Sequence, residues 1–253
     1  MAVLTEKQIK YGFDYYHKDE KQLKSVVEVS EYDGEDKLMI NCTQLDEGYS
    51  AKDKKRILQE WCDFLVEHPD TFTELMFCTR MPQELFDAVC AQRRLKKLHI
   101  KWGVYPDISK LENLQELEYL HIGSGRSVSS LEPISRLVNL VALSIENFQQ
   151  IDDYAPLANL KHLESLALEG DFAAPKILKV QSLEFLRHMK QLCFFSFLTA
   201  KVIDKDYSPI LELNNLEHLT LKSCKEVKQL YPQFVKLPKL KYGTVLERPE
   251  LYE

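Results

Sequence analysis

One pattern, L-x-x-L-x-L, is written six times between Leu95 and Leu240, and it leaves a chain of this kind few ways to fold. The copies are Leu95-Leu98-Ile100, Leu117-Leu120-Ile122, Leu140-Leu143-Ile145, Leu163-Leu166-Leu168, Leu192-Phe195-Phe197 and Leu216-Leu219-Leu221, with starts 22, 23, 23, 29 and 24 residues apart. Phe72-Leu75-Phe77 precedes them by 23 residues, and a degraded copy, Leu240-Gly243-Val245, follows by 24. A fixed period of this length marks a solenoid. Such an architecture offers an extended surface, so the chain is expected to act by binding.

Each unit has a physical reading. The second and third apolar positions lie two apart and fall on one face of a short strand, with the residues between them facing the other way. The end of each unit repeats as well. Counting back from the next start by three, six and nine gives Leu114, Leu111, Ile108; Leu137, Ile134, Leu131; Leu160, Leu157, Tyr154; Met189, Leu186, Leu183; and Leu213, Ile210, Tyr207. A spacing of three suits a 3₁₀-like return. Pro133, Pro156 and Pro209 precede the middle position of three returns and favour a rigid turn over a long helix. No unit can bury its apolar edge alone, so neighbours must stack.

Stretches such as Tyr154-Ala155-Pro156-Leu157-Ala158-Asn159-Leu160-Lys161-His162-Leu163 resemble leucine-rich repeats of the short, 22-residue class. That class occurs in bacterial internalins and in a regulatory subunit of a nuclear protein phosphatase. The resemblance spans residues 72–245. It implies an α/β solenoid, coiled right-handedly, with a parallel β-sheet on its concave face, used in that family to bind other proteins. The chain departs from the family at the ninth position of each unit, where Asn is usual. Gly103, Gly125, Phe148, Asp171, Ala200 and Cys224 stand there instead, so the bends lack an Asn ladder.

Residues 1–71 do not follow the repeat and read as an α+β N-terminal cap, with residues 72–253 forming the repeat domain and its short C-terminal cap. Val26–Val29 and Leu38–Ile40 flank Tyr32–Asp36, where Asp33-Gly34 is a turn signal, and suggest a hairpin. Ile57, Leu58, Trp61, Cys62 and Leu65 recur at helical spacing between Ala51 and His68, and Pro69 ends that helix. A second helix is expected from Pro82 to about Arg94. A stack needs its ends covered, which is the plain role of such a cap. After Val245, Pro249 and several charges discourage another strand from adding. One unit is longer, and its insertion around Gly170–Ile177 bulges at a strand end.

Composition narrows the function. Eight glycines in 253 residues argue against Gly-rich phosphate loops, and a net charge of −6 speaks against nucleic acid as partner. No run of 18 apolar residues is present, so no membrane span is expected. Glu6 and Lys7 interrupt what a signal peptide would keep apolar, and six scattered cysteines suit a reducing compartment; a cytoplasmic location is expected. The motifs H-E-x-x-H, G-x-x-x-x-G-K-[ST] and G-x-S-x-G are missing, so neither enzyme activity nor a cofactor is expected.

Alternation assigns the residues between the core leucines to the concave face. One column reads Met76, His99, His121, Ser144, Ala167, Ser196, Thr220, Thr244; its neighbour reads Glu74, Lys97, Tyr119, Ala142, Ser165, Phe194, His218, Tyr242. The middle is small and both ends are bulky. Lys97, His99, Trp102, Tyr119 and His121 at one end, with Phe172, Phe194, His218 and Tyr242 at the other, are the candidate partner-binding residues, as exposed aromatics often anchor interfaces. His99 and His121 on adjacent strands lack a third ligand for zinc. Arg93, Arg94, Lys96, Lys97 and Lys101 face Glu118, Glu146, Glu164 and Glu169 farther along, a dipolar rim that would steer a charged protein. The expected function is a monomeric, non-enzymatic module that sequesters, inhibits or scaffolds a protein. Its alternatives are an immunity- or antitoxin-like inhibitor, a phosphatase regulator, and a small enzyme or ligand-binding domain around Tyr15, Tyr16, His17 and Asp19.

Overall fold

A computed structural model describes residues 4–12, 23–171 and 176–253. Its first half runs α1 (Glu6–Tyr11), β1 (Ser25–Val26), β2 (Lys37–Ile40), α2 (Ala51–Glu67), β3 (Glu74–Phe77), β4 (Met81–Pro82), α3 (Gln83–Val89), β5 (Lys97–Ile100), β6 (Gly103–Val104) and β7 (Tyr119–Ile122). There follow α4 (Glu132–Ser135), β8 (Ala142–Glu146), β9 (Ser165–Glu169), β10 (Leu178–Val180), β11 (Phe194–Leu198), β12 (Ala200–Val202), β13 (His218–Leu221), α5 (Lys225–Phe234) and α6 (Thr244–Glu247). Nine strands make one sheet in the order β1-β2-β3-β5-β7-β8-β9-β11-β13, and each neighbouring pair is parallel.

The register is what the repeat requires. Leu75 pairs with Leu98, Leu98 with Leu120, Leu120 with Leu143, Leu143 with Leu166, Leu166 with Phe195 and Phe195 with Leu219. All of these side chains are buried in one continuous core. The returns are compact: 3₁₀ turns at Ser109–Asn113, Ala155–Asn159, Glu184–His188 and Ser208–Glu212, and the single α-helical turn α4. The chain is an α/β leucine-rich repeat solenoid.

The bends hold their shape without Asn. In three units the eighth residue, Ser124, Asn147 or Thr199, takes a positive φ of 49–61° and turns the chain off the strand. Gly125 then leaves room for the buried ring of Phe148, whose Cε1 would lie 1.8 Å from a Cβ at Gly125. Two short parallel pairs, β4 with β6 and β10 with β12, supply backbone hydrogen bonds in other bends.

The hairpin expected near the N-terminus is not there. β1 pairs with β2 in parallel, Ser25 against Met39 and Val26 against Ile40, and β2 pairs in parallel with β3, Leu38 against Leu75. The Asp33-Gly34 turn exists, but Lys24 holds its far side through Asp33 at 2.9 Å and Glu35 at 3.0 Å, and the chain crosses over before re-entering the sheet. Leu38 and Ile40 both enter the solenoid core, and the parallel direction puts them in line with Leu75 and Phe77. The sheet is therefore unbroken across residues 71 and 72, and α2 is the return of its first full turn.

α2 forms as its pattern predicts. Ser50 and Asp53 close a capping box, Ile57, Trp61 and Leu65 line the buried face, and the Trp61 indole donates to the Val27 carbonyl at 2.8 Å. α3 stops at Val89, short of the expected Arg94. Gln92, just past its end, has another task. Its buried amide donates to the carbonyls of Leu65 (2.6 Å) and His68 (3.0 Å) and accepts from the Phe72 N–H (3.2 Å), fastening α2 to β3.

The C-terminal end is a folded cap, more than the charged tail its sequence suggests. Gly243, at φ +97°, passes so close to Leu219 that a Cβ there would lie 2.3 Å from its carbonyl oxygen, and Tyr242 forms an isolated bridge to His218 of β13. Behind it, the Tyr252 hydroxyl donates to the Leu221 carbonyl at 2.6 Å. Replacing Gln92 with Leu should cost at least about 2 kcal/mol, because buried backbone groups at the α2–β3 junction lose their partners. Urea unfolding of Gln92→Leu against wild type measures this.

Candidate protein-interaction face

The two concave columns form as alternation dictates, but they do not stand open. Tyr119, Phe194, His218 and His99 are buried, at 6%, 4%, 7% and 8% exposure, which overturns the expectation of a wall of exposed aromatics. The cause is α1. This helix lies on the concave face, where Leu4 and Ile9 form a small apolar cluster with Tyr119, Val141 and Ala142, flanked by Cys193 and Tyr242.

Local chemistry explains why residues 4–12 take this shape. Thr5 caps α1 and Gln8 answers it: the Gln8 N–H donates to Thr5 Oγ1 at 3.3 Å, and the Thr5 N–H donates to Gln8 Oε1 at 2.8 Å. Leu4 just before the cap and Ile9 one turn inside it form the apolar staple that accompanies such a box. A helix of six residues is too short to persist alone in water. Tertiary contacts hold it. Beyond the apolar cluster, the Tyr242 hydroxyl donates to Glu6 Oε1 at 2.6 Å, which raises the Tyr242 pKa above its ordinary value. The Lys10 ammonium sits 5.6 Å from the centroid of the Tyr242 ring. Gly12 ends the helix at φ +73°, where any Cβ would be 2.7 Å from Phe194 Cζ. Full burial of Leu4 and Ile9 contributes about 3–6 kcal/mol together.

Under the end of α1 lies a cavity of about 260 Å³, lined by Tyr11 and Gly12 above and by Ser144, Ala167, Ser196 and Thr220 below, with His121, Glu169, Phe194 and His218 at its sides. Its floor is the small, polar middle of the sheet. The Ser196 hydroxyl donates to Glu169 Oε1 at 2.7 Å, and His121 Nδ1 lies 3.0 Å from Ser144 Oγ.

At the other end of the arc a polar row crosses four strands. Glu74 is buried between Lys37 (3.8 Å) and Lys97 (3.7 Å), and the Lys97 ammonium lies 5.4 Å from the centroid of the Tyr119 ring. Beside it His99 and His121 stack with centroids 4.2 Å apart and planes at 12°. Among the described residues no three His, Cys, Asp or Glu side chains gather as a metal site. Trp102 is half-buried in the bend after β5, outside both columns, and Phe172 lies outside the described residues, as do Tyr15, Tyr16, His17 and Asp19. The basic patch is compensated locally: Arg93 pairs with Asp70, and Lys96 reaches Glu118 at 3.9 Å. That pairing weakens the dipolar rim. Cys193, at the edge of the α1 cluster, is no activated nucleophile, since burial pushes its thiol up to about 11.

Sequence reasoning missed residues 4–12. The signal was present in Leu4-Thr5-x-x-Gln8-Ile9, a capping box with its staple, but nothing in those letters says where the helix docks.

The face thus belongs to a leucine-rich repeat solenoid whose concave sheet carries its own N-terminal helix. Among solved structures the chain is similar to an internalin, inlF, of Listeria monocytogenes, at 18% identity and a TM-score of 0.51, over 68% of this chain and 54% of that one. It thus spans about half of that internalin's length. Also similar are the internalin C2 of the same organism (16% identity, TM-score 0.42, 72% and 83% covered) and a leucine-rich repeat protein of Leptospira interrogans (15%, 0.39, 87% and 65%). No family model matches the chain, and no curated protein does. No helix among the described residues is long and apolar enough to cross a membrane.

His218 gives the face a pH dependence. Burial holds its pKa down at about 4, against the opposing pull of Glu247 and of the Lys10 and Ile9 backbone carbonyls of α1; its Nε2 lies 2.8 Å from Thr220 Oγ1 and its ring 4.2 Å from that of Phe194. A depressed histidine takes up its proton in the unfolded chain first. Its contribution is therefore complete above pH 6.5 and falls by up to about 3 kcal/mol as pH drops to 4. Denaturation of wild type and His218→Gln at pH 7 and pH 4 should show a smaller acid loss in the variant.

Proposed function

We propose that the chain is a non-enzymatic module that binds another protein through the concave face of its repeats. The observation that carries this reading is the groove itself. Seven of the nine parallel strands present two registered columns of side chains, small in the middle and bulky at the ends, and the groove already accommodates a peptide segment. The similarity to internalin inlF supports the fold. The binding role rests on the geometry and on the resemblance of the repeats to the short, 22-residue class of bacterial type.

In this reading Lys97, His99, Tyr119, His121, Phe194, His218 and Tyr242 line the contact surface, with Trp102 at its rim. The protein works as a cytoplasmic monomer, and it sequesters, inhibits or scaffolds its partner. Inhibition of the immunity type is the special case in which the partner is a toxin or enzyme. Neither nucleic acid nor a cofactor is required in this reading: the described residues form no continuous basic stripe along the groove.

The test is to place charge and bulk in the floor of the groove. Ala167→Arg with Ser196→Arg should reduce recovery of the partner from native extract by the tagged chain at least tenfold, with the circular-dichroism spectrum of the folded solenoid retained. Undiminished recovery would remove the concave face from the account.

A further inference from the structure

The segment seated on the concave face shows what that face accepts. Its groove is cut to a helix: Ala142, Ser144, Ser165 and Ala167 leave a trough between the bulky walls of Tyr119 and Phe194, and a helix with its side chains is about 10 Å across. Within it, the described contacts of α1 are chemically distinct. An apolar pair, Leu4 and Ile9, meets Tyr119, Val141 and Ala142. A carboxylate, Glu6, accepts from the Tyr242 hydroxyl and lies within reach of the Lys241 charge. A residue without a side chain, Gly12, passes Phe194.

Two observations mark this occupant as removable. Its apolar cluster is separate from the solenoid core, so the stacked leucines stay buried without it. The six-residue helix has little stability of its own.

We propose that the concave face is a receptor for a short amphipathic helix bearing an apolar pair and a carboxylate, and that residues 4–12 are a tethered copy of that ligand which a partner's helix displaces. This rests on the reading of the concave face as the binding surface and names the class of partner it takes: a protein presenting a helix with the Leu4, Glu6, Ile9 pattern. The tether sets a threshold, because any partner must compete with a segment already held on the same chain.

The test uses a fluorescein-labelled peptide of residues 4–12 and two forms of the full chain, wild type and Leu4→Glu/Ile9→Glu, in which the cover is released. The peptide should bind the released variant at least tenfold more tightly than wild type, and a peptide carrying the same two glutamates should bind neither. Circular dichroism establishes that the variant is folded. Gly12→Val, which sets a side chain against Phe194 at a positive φ, provides a second released form. Equal affinity for wild type and released chains, or no binding to either folded variant, overturns the proposal. The assay needs no natural partner, so its failure is separable from failure of the Ala167→Arg/Ser196→Arg recovery experiment.

Discussion

Everything in this molecule depends on leucines stacked in parallel register. A strand of four or five residues cannot bury its two inward side chains by itself; it does so only because the strands on either side place theirs at the same height. From Leu38 to Leu219 the same position repeats through eight consecutive strands, and the 3₁₀ returns close the far side of the core. This constraint fixes the opposite face too. If Leu120 and Ile122 point inward, Tyr119 and His121 must point outward, on one wall with their counterparts from every other strand. Fold and candidate site are one consequence of the same alternation.

An exposed parallel wall of this kind has ends and a face, and the chain covers all three. β1 and β2 with α2 begin the stack, α5, α6 and Tyr252 finish it, and α1 returns to lie on the concave surface. The first two covers are continuous with the core. The third is held by contacts that include two aliphatic side chains, a carboxylate–phenol hydrogen bond, a lysine over an aromatic ring and a glycine that passes another. That difference in attachment separates the structural caps from the cover that we propose a partner displaces.

Much of this was legible in the letters. Periodic leucines gave the strands, their register and the inward face, and prolines with a spacing of three gave the compact returns. The columns of the concave face followed by alternation, and each of their strand residues stands where alternation put it. What was not legible is non-local. β1 and β2 hold only one copy of the inward pattern each, and the long interval from Leu38 to Leu75 hides their membership in the sheet behind the 17-residue helix α2. A turn signal at Asp33-Gly34 then pointed to a hairpin, since a turn says that a chain bends and not which strand it meets next. The burial of Tyr119 and Phe194 was hidden for a similar reason: the atoms that cover them come from more than a hundred residues away, and a capping box announces a helix without its address.

The covered face can be tested most directly by methyl-selective NMR of the wild-type chain at neutral pH. Docking of α1 requires NOEs from the Leu4 and Ile9 methyl groups to the Tyr119 ring and the Ala142 methyl, with Ile9 shifted upfield by the nearby ring. Random-coil shifts for Ile9 and no cross-peak to Tyr119 would contradict it, and would leave the leucine stack with an open wall.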